Sequence, residues 1–410
     1  MATAAMKTSA AKLRTPKPTN ALEGVRTRAG ENSNFPFDIQ SGMPLFPFNN
    51  IPSCIKEFNS WQRERNTRLS WTGSEFSSED YVYTLSEREK QEVIHALDHF
   101  KDLGLAGNEV ARENFPLPTL MSRLDDLAKD LHHGKGFFSI RGLDPEEFTP
   151  EDNVLVFLGI SGYIGNKRGK QDDDGYMLAH VRESKLCDAP QHQRPFRDSN
   201  LALTFHTDGF ADILAMQTRS CAARGGNHVI ASSMKICEEL AATRPELMQI
   251  LMSPIWVSES RGFLADNRSR PLLFIENGHV IMNFVRYPFI GLPDAPRAAD
   301  LPPVSTVQVE ALDLVELLAQ KHQLVLDMHP GDLTFINNLA ILHSREAFED
   351  DTSHTRYLVR LWLKNEELAW TIPPALVSGN EKSFDEELAE KWNIVPQPRL
   401  RFKPWQRLDP

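Results

Sequence analysis

Apolar and polar positions change their period several times along this chain, and each change marks an element. Over residues 356–363, Arg356, Leu358, Arg360 and Trp362 alternate with Tyr357, Val359, Leu361 and Leu363. A period of two reads as a strand, with one face wholly apolar and the other carrying two guanidinium groups. Further strand-like runs are expected at 137–141, 176–181, 213–222, 229–232 and 272–285, the last divided by Asn277-Gly278, a strong hairpin signal.

Helical spacing appears elsewhere. Ser86-Glu-Arg-Glu89 has capping-box form and opens a helix toward Phe100. After Pro118, Leu120, Leu124, Leu127 and Leu131 make one stripe that Gly134 stops. Two more stretches, 235–252 and 306–322, repeat apolar residues every three or four positions and should cover the outside of a sheet. The expected fold is therefore mainly β with flanking helices. Along the chain this predicts a disordered tail over 1–30, a helical and irregular region over 31–134, a β core over 135–370 and an extension over 371–410 that wraps the surface.

Composition changes this picture little but excludes several classes. The chain has 410 residues, 41% hydrophobic and 25% charged, enough to bury a substantial core. A net charge of −11 and the lack of a basic cluster argue against a nucleic-acid surface. Cys54, Cys187, Cys221 and Cys237 have no paired short spacing and read as free thiols of a reducing compartment. No run has the length of a membrane span. Residues 1–28 carry Lys and Arg with Glu23 as their one acid, as a mitochondrial presequence would, but Pro16 and Pro18 break a long amphipathic helix. The expectation is a soluble tail on a cytoplasmic protein.

The candidate chemistry is carried by His206-Thr-Asp208 and His343. In Leu201-Ala-Leu-Thr-Phe-His206-Thr-Asp208 a strand reading puts His206 and Asp208 on one face. Two imidazoles and one carboxylate can occupy one face of an Fe(II) ion and leave the other positions open. The same ligands also bind zinc. Taken singly, the triple reads equally as a surface His and a turn Asp, and His343 as a packed core residue. Asp172-Asp-Asp174-Gly175 lacks the alternating ligands and closing Glu of a calcium loop and reads as a solvated turn. His132-His133 reads as a helix C-terminus and His329 as a turn residue.

Five ordered segments add a resemblance. They are His133-Gly-Lys-Gly-Phe-Phe-Ser-Ile-Arg-Gly142, His206-Thr-Asp208-Gly209, Gly225-Gly226-Asn227-His228, Pro330-Gly-Asp332 with Asn338-Leu-Ala-Ile-Leu-His343-Ser-Arg345, and Arg356-x-x-x-Arg360. Over roughly residues 130–370 the chain thus resembles the taurine dioxygenase-like Fe(II)/2-oxoglutarate-dependent oxygenases, whose relatives include clavaminate synthase. That resemblance implies a double-stranded β-helix, or jelly-roll, core, with His206, Asp208 and His343 as iron ligands at one mouth of the barrel. Arg356 would bind the distal carboxylate of 2-oxoglutarate, and Arg360 would hold an anionic group of the substrate. His228 departs from the family, which often has a threonine there; an imidazole N–H can donate the same hydrogen bond to the cosubstrate.

The implied reaction consumes O₂ and 2-oxoglutarate, releases succinate and CO₂, and oxidises a C–H bond of a small, carboxylate-bearing metabolite or amino acid by hydroxylation, desaturation or ring closure. The partners expected are a small-molecule substrate, with no nucleic acid and no membrane; a homo-oligomer is compatible with the sequence. The alternative is a non-catalytic jelly-roll binding protein that keeps the pocket. A zinc hydrolase on the same ligands leaves Arg356 without a role.

Overall fold

The structure, a computed structural model, describes residues 68–395 apart from 173, 186–189, 260–268, 293–295 and 386. The tail expected over 1–30, the irregular stretch that follows it and the chain beyond 395 lie outside the described residues. No described helix is long and apolar enough to cross a membrane.

Two sheets organise the described residues. The larger runs in the order Val82–Thr84, Phe137–Arg141, Leu333–Asn337, Ile213–Ser220, Tyr357–Lys364 and Lys167–Gly169, with Leu178–Arg182 also paired to Tyr357–Lys364. Its first pair is parallel and the others are antiparallel. The smaller sheet runs Leu324–Val325, His228–Ser232, Ile341–Arg345 and Leu203–His206, antiparallel throughout. One apolar cluster joins them: Phe137, Leu214, Ile336, Leu358 and Trp362 from the larger sheet meet Ile230 and Ile341 from the smaller. The alternation at 356–363 has a direct outcome. Leu358 and Trp362 enter this inner cluster, whereas Val359, Leu361 and Leu363 pack outward against helices in a second cluster.

Helices cover the outer faces. The capping box forms as expected: Ser86 Oγ accepts from the Glu89 N–H, and the helix runs Glu87–Asp102. The stripe of leucines lies on Met121–His133, which Gly134 ends. The helix Pro150–Ile164, in contrast, has no counterpart in the expected elements. Eleven of its fifteen residues are buried, so no polar face breaks the apolar run into a 3.6-residue stripe. Its sequence signal lies at the end: Thr149 accepts from the Asp152 N–H as N-cap, and Pro150 follows at the first helical position.

The stretch 235–252 is a correction of similar kind. It holds two helices, Ser233–Thr243 and Pro245–Met252, because Pro245 has no N–H to continue the first one and suits the start of the second. The hairpin signal is realised in Leu273–Glu276 and His279–Met282, with Asn277 at φ 43° and Gly278 at φ 79°. Two successive positive φ values are what a type I′ turn needs.

Candidate metal centre

The strand Leu203–His206 ends at His206, two residues short of Asp208. The chain leaves the ladder because other groups take its next donors: Thr207 N–H goes to the Phe284 carbonyl at 2.7 Å and Asp208 N–H to Asn338 Oδ1 at 2.8 Å. Asn338, 1% exposed, also donates through Nδ2 to the carbonyls of Asp208 (2.8 Å) and Ala211 (2.7 Å). One buried amide therefore fixes the loop that carries the carboxylate. Sequence reasoning noted this asparagine only as part of a segment, since nothing local announces such a clamp.

His343 lies on Ile341–Arg345, directly opposite His206 across the smaller sheet. The result is a three-donor cluster. His206 Nε2 and His343 Nε2 each stand 3.7 Å from Asp208 Oδ1, and the ligand atoms of all three lie within 4.8 Å of one another. Two ligands bonded to one ion at about 2.1 Å can be at most about 4.2 Å apart, so the 3.7 Å spacings fit a shared ion. His206 Nδ1 faces the Thr204 carbonyl at 2.9 Å; a carbonyl only accepts, so the proton sits on Nδ1 and the lone pair on Nε2. Burial pushes the pKa of His206 down and that of His343 well down, which keeps both imidazoles neutral and able to ligate. The donor set suits a divalent transition metal.

Asp208 Oδ2 points away from the histidines' shared oxygen. It accepts from Trp362 Nε1 at 2.8 Å, and Arg360 Nη1 spans the carboxylate, 2.9 Å from Oδ2 and 3.2 Å from Oδ1, to which it donates. Arg360 in turn donates from Nε to Gln171 Oε1 at 2.7 Å. The arginine expected to face a substrate anion is thus also tied to the metal cluster. Trp362 was expected on the arginine face of its strand; its bond to Asp208 was not.

Arg356 immediately precedes the strand Tyr357–Lys364 and is 3% exposed. Its Nε donates to the Gly226 carbonyl at 2.7 Å, while Nη1 is buried with no partner among the described residues. Burial, helped by Arg345, pulls its pKa down to about 9. Gly225-Gly226 makes room for it. Both glycines have positive φ, and a Cβ on Gly226 would stand 2.7 Å from Arg356 Cδ. Phe348 is flanked by Arg345 and Arg356, 5.4 and 5.5 Å from its centroid.

His228 begins the strand next to His343, edge-on to that ring at 5.6 Å. Its Nε2 is buried and without a partner among the described residues, and burial lowers its pKa to about 3. The ring is neutral at physiological pH. These groups share a cavity of about 310 Å³, lined also by Val181, Phe196, Met216, Val285 and Tyr287. Among its described lining residues, five arginines (Arg197, Arg270, Arg345, Arg356, Arg360) stand against one carboxylate, Asp208. A larger cleft, about 550 Å³, lies beside Arg112 and Arg168, but Arg112 is engaged by Asp125 and Arg168 by backbone carbonyls.

Known proteins are similar to this chain in sequence and in fold. The sequence model of the "Taurine catabolism dioxygenase TauD, TfdA family" matches residues 99–362. The "Taurine hydroxylase-like protein SAT17" of Stachybotrys chartarum is 36% identical over 349 residues, covering 81% of this chain and 89% of that protein. "FR-33289 synthase" of Streptomyces rubellomurinus is 23% identical over 294 residues, covering 70% and 86%. Among solved structures, an asparagine oxygenase with Fe(II), 2S,3S-3-hydroxyasparagine and succinate superposes with a TM-score of 0.55 at 17% identity, covering 72% of this chain and 98% of the other. The non-heme iron oxygenase OrfP with Fe and alpha-ketoglutaric acid does so with a TM-score of 0.52 at 18% identity, covering 69% and 94%.

Proposed function

Because this chain belongs to the taurine catabolism dioxygenase TauD, TfdA family, and is therefore an iron- and 2-oxoglutarate-dependent oxidoreductase, we propose that His206, Asp208 and His343 hold its Fe(II) and that the enzyme hydroxylates a small acid. One observation carries the reading: three neutral or anionic ligand atoms meet within 4.8 Å beside a buried arginine whose Nη1 has no partner among the described residues. The fold best suited to this is a jelly-roll core over 135–370, with the described residues of 31–134 packed on it and those of 371–410 as an extension.

Bound iron and 2-oxoglutarate supply an oxidative decarboxylation by O₂ that yields succinate and CO₂ and oxidises a substrate C–H bond. The residues orient and select. Arg356 would take the distal carboxylate of the keto acid on Nη1, the charge partner its buried guanidinium lacks. His228, neutral, would donate from Nε2 to the cosubstrate. Arg360 lines the same cavity and would meet an anionic group of the substrate while remaining paired to Asp208. Val181, Met216, Val285, Phe196 and Tyr287 would surround the carbon skeleton and exclude water.

Arg197 is paired with Asp172 and Asp198 and Arg360 with Asp208, so it is the buried Arg356 Nη1, without a partner among the described residues, that favours an anionic ligand over a cationic one. The hydroxyasparagine held by the asparagine oxygenase supports hydroxylation as the outcome. The reading is tested by incubating the protein with Fe(II), ascorbate, O₂ and 2-oxoglutarate over a panel of small carboxylic and amino acids and measuring succinate. Substrate-dependent succinate release, lost in Asp208→Ala, is expected. Background succinate over the whole panel would favour a binding protein.

A further inference from the structure

We infer that Trp362 is a positioning residue that restricts Asp208 to ligation through one oxygen. The inference rests on Asp208 being a metal ligand and concerns how that carboxylate is held.

A free carboxylate beside a divalent ion can bind through one oxygen or chelate through both. The two modes differ in consequence: chelation takes one more of the ion's six positions, and a bidentate keto acid needs two of the three that a facial triad leaves. In this chain the two oxygens of Asp208 have different surroundings. Oδ1 faces both histidine Nε2 atoms at 3.7 Å, while Oδ2 accepts from Trp362 Nε1 at 2.8 Å; Arg360 Nη1 spans the two, 2.9 Å from Oδ2 and 3.2 Å from Oδ1. The indole is the donor that Oδ2 has and Oδ1 lacks; it occupies a lone pair of Oδ2 and draws charge from it. Oδ1 is left as the ligand.

The indole is well placed for this because it cannot move. Trp362 is 5% exposed, packed in the cluster between the sheets, and paired in register with Leu214 on one side and Gly169 on the other. A Cβ on Gly169 would approach Phe384 Cε1 to 3.0 Å and Trp362 Cβ to 3.2 Å, so the glycine opposite lets Phe384 and the Trp362 strand pack closely there. Arg360 is braced separately: its Nε bonds Gln171 Oε1, and Gln171 Nε2 donates to the carbonyls of Met177 and Arg360, both at 2.8 Å. An indole has one polar atom and no charge to lose, so its contact with Asp208 persists when the substrate draws on Arg360.

The test uses the full chain as Trp362→Phe, with Asp208→Ala as control, and Co(II) as the probe. Co(II) is titrated anaerobically and its visible absorption, which reports coordination number and geometry, is recorded together with the melting temperature of the metal-free proteins. The phenylalanine variant should bind Co(II) 10- to 100-fold more weakly than the parent and with altered band intensities. A merely structural tryptophan would lower the melting temperature and leave affinity and spectrum at parental values, which overturns the inference. If Asp208→Ala also binds Co(II) like the parent, the ligand assignment itself falls; if that control loses the metal while Trp362→Phe keeps it, only the role of Trp362 falls. Should the variant not fold, the crystal structure of the Co(II)-loaded parent decides: one-oxygen ligation by Asp208 with Oδ2 on the indole supports the inference, and chelation through both oxygens overturns it.

Discussion

His343 is the direct cross-strand partner of His206, with ring centroids 4.1 Å apart. Two neutral imidazoles so close in a buried site gain nothing from one another, and a shared metal ion would convert their proximity into stability. Metal at 100 times its dissociation constant should stabilise the fold by about 2.7 kcal/mol. A thermal scan with and without Mn(II) checks this. The parent should melt several degrees higher with metal, and His343→Ala should show no metal-dependent rise.

Arg356 is a buried cation whose Nη1 has no partner among the described residues. Arg356→Gln removes the charge while keeping a polar group of similar reach. Binding of 2-oxoglutarate, measured by calorimetry on the metal-loaded protein, should weaken by about 2–4 kcal/mol, roughly 30- to 1,000-fold. Binding unchanged by the substitution would remove Arg356 from the cosubstrate site.

His228 offers a single neutral donor, and its loss should matter less. His228→Phe keeps the edge-on ring beside His343 but deletes Nε2. A 2-oxoglutarate affinity lower by about 1.5–3 kcal/mol is expected for one hydrogen bond to a charged group. With a pKa near 3 the ring does not titrate between pH 5.5 and 8, so its contribution should be constant over that range.

Asp212 supplies the pH dependence. Its carboxyl is buried, Oδ2 has no partner among the described residues, and burial raises its pKa to about 6. The folded state therefore holds a proton that the unfolded chain releases near pH 4, so this group's stabilisation is complete below about pH 4 and is lost as pH rises through about 6. Urea unfolding of the metal-free protein at pH 4.5 and 7.5 should show the gap between the parent and Asp212→Asn moving by about 2 kcal/mol in favour of Asn at the higher pH. A gap that stays constant would mean that Asp212 keeps an ordinary carboxylate pKa.

What the sequence made legible was what is local or periodic. Asn277-Gly278 declares its turn because only two positive φ values in succession suit that hairpin, and both occur. The alternation at 356–363 separates inner from outer residues because a strand has two faces, and the structure sorts Leu358 and Trp362 from Val359 and Leu361 accordingly. Pro150–Ile164 escaped because burial on all sides erases the polar stripe by which helices are recognised. At the site, the meeting of His206, Asp208 and His343 could be anticipated from an ordered set of segments. The clamp by Asn338 and the indole bond from Trp362 could not, since each joins residues 130 and 154 positions apart through side-chain atoms that no spacing rule reaches.

The central claim is that these three side chains share one ferrous ion, and anomalous diffraction at the iron edge from anaerobic, Fe(II)-soaked crystals tests it most directly. A single strong peak about 2 Å from His206 Nε2, Asp208 Oδ1 and His343 Nε2 is predicted. A peak bonded to other residues, or none at this cluster, would contradict it.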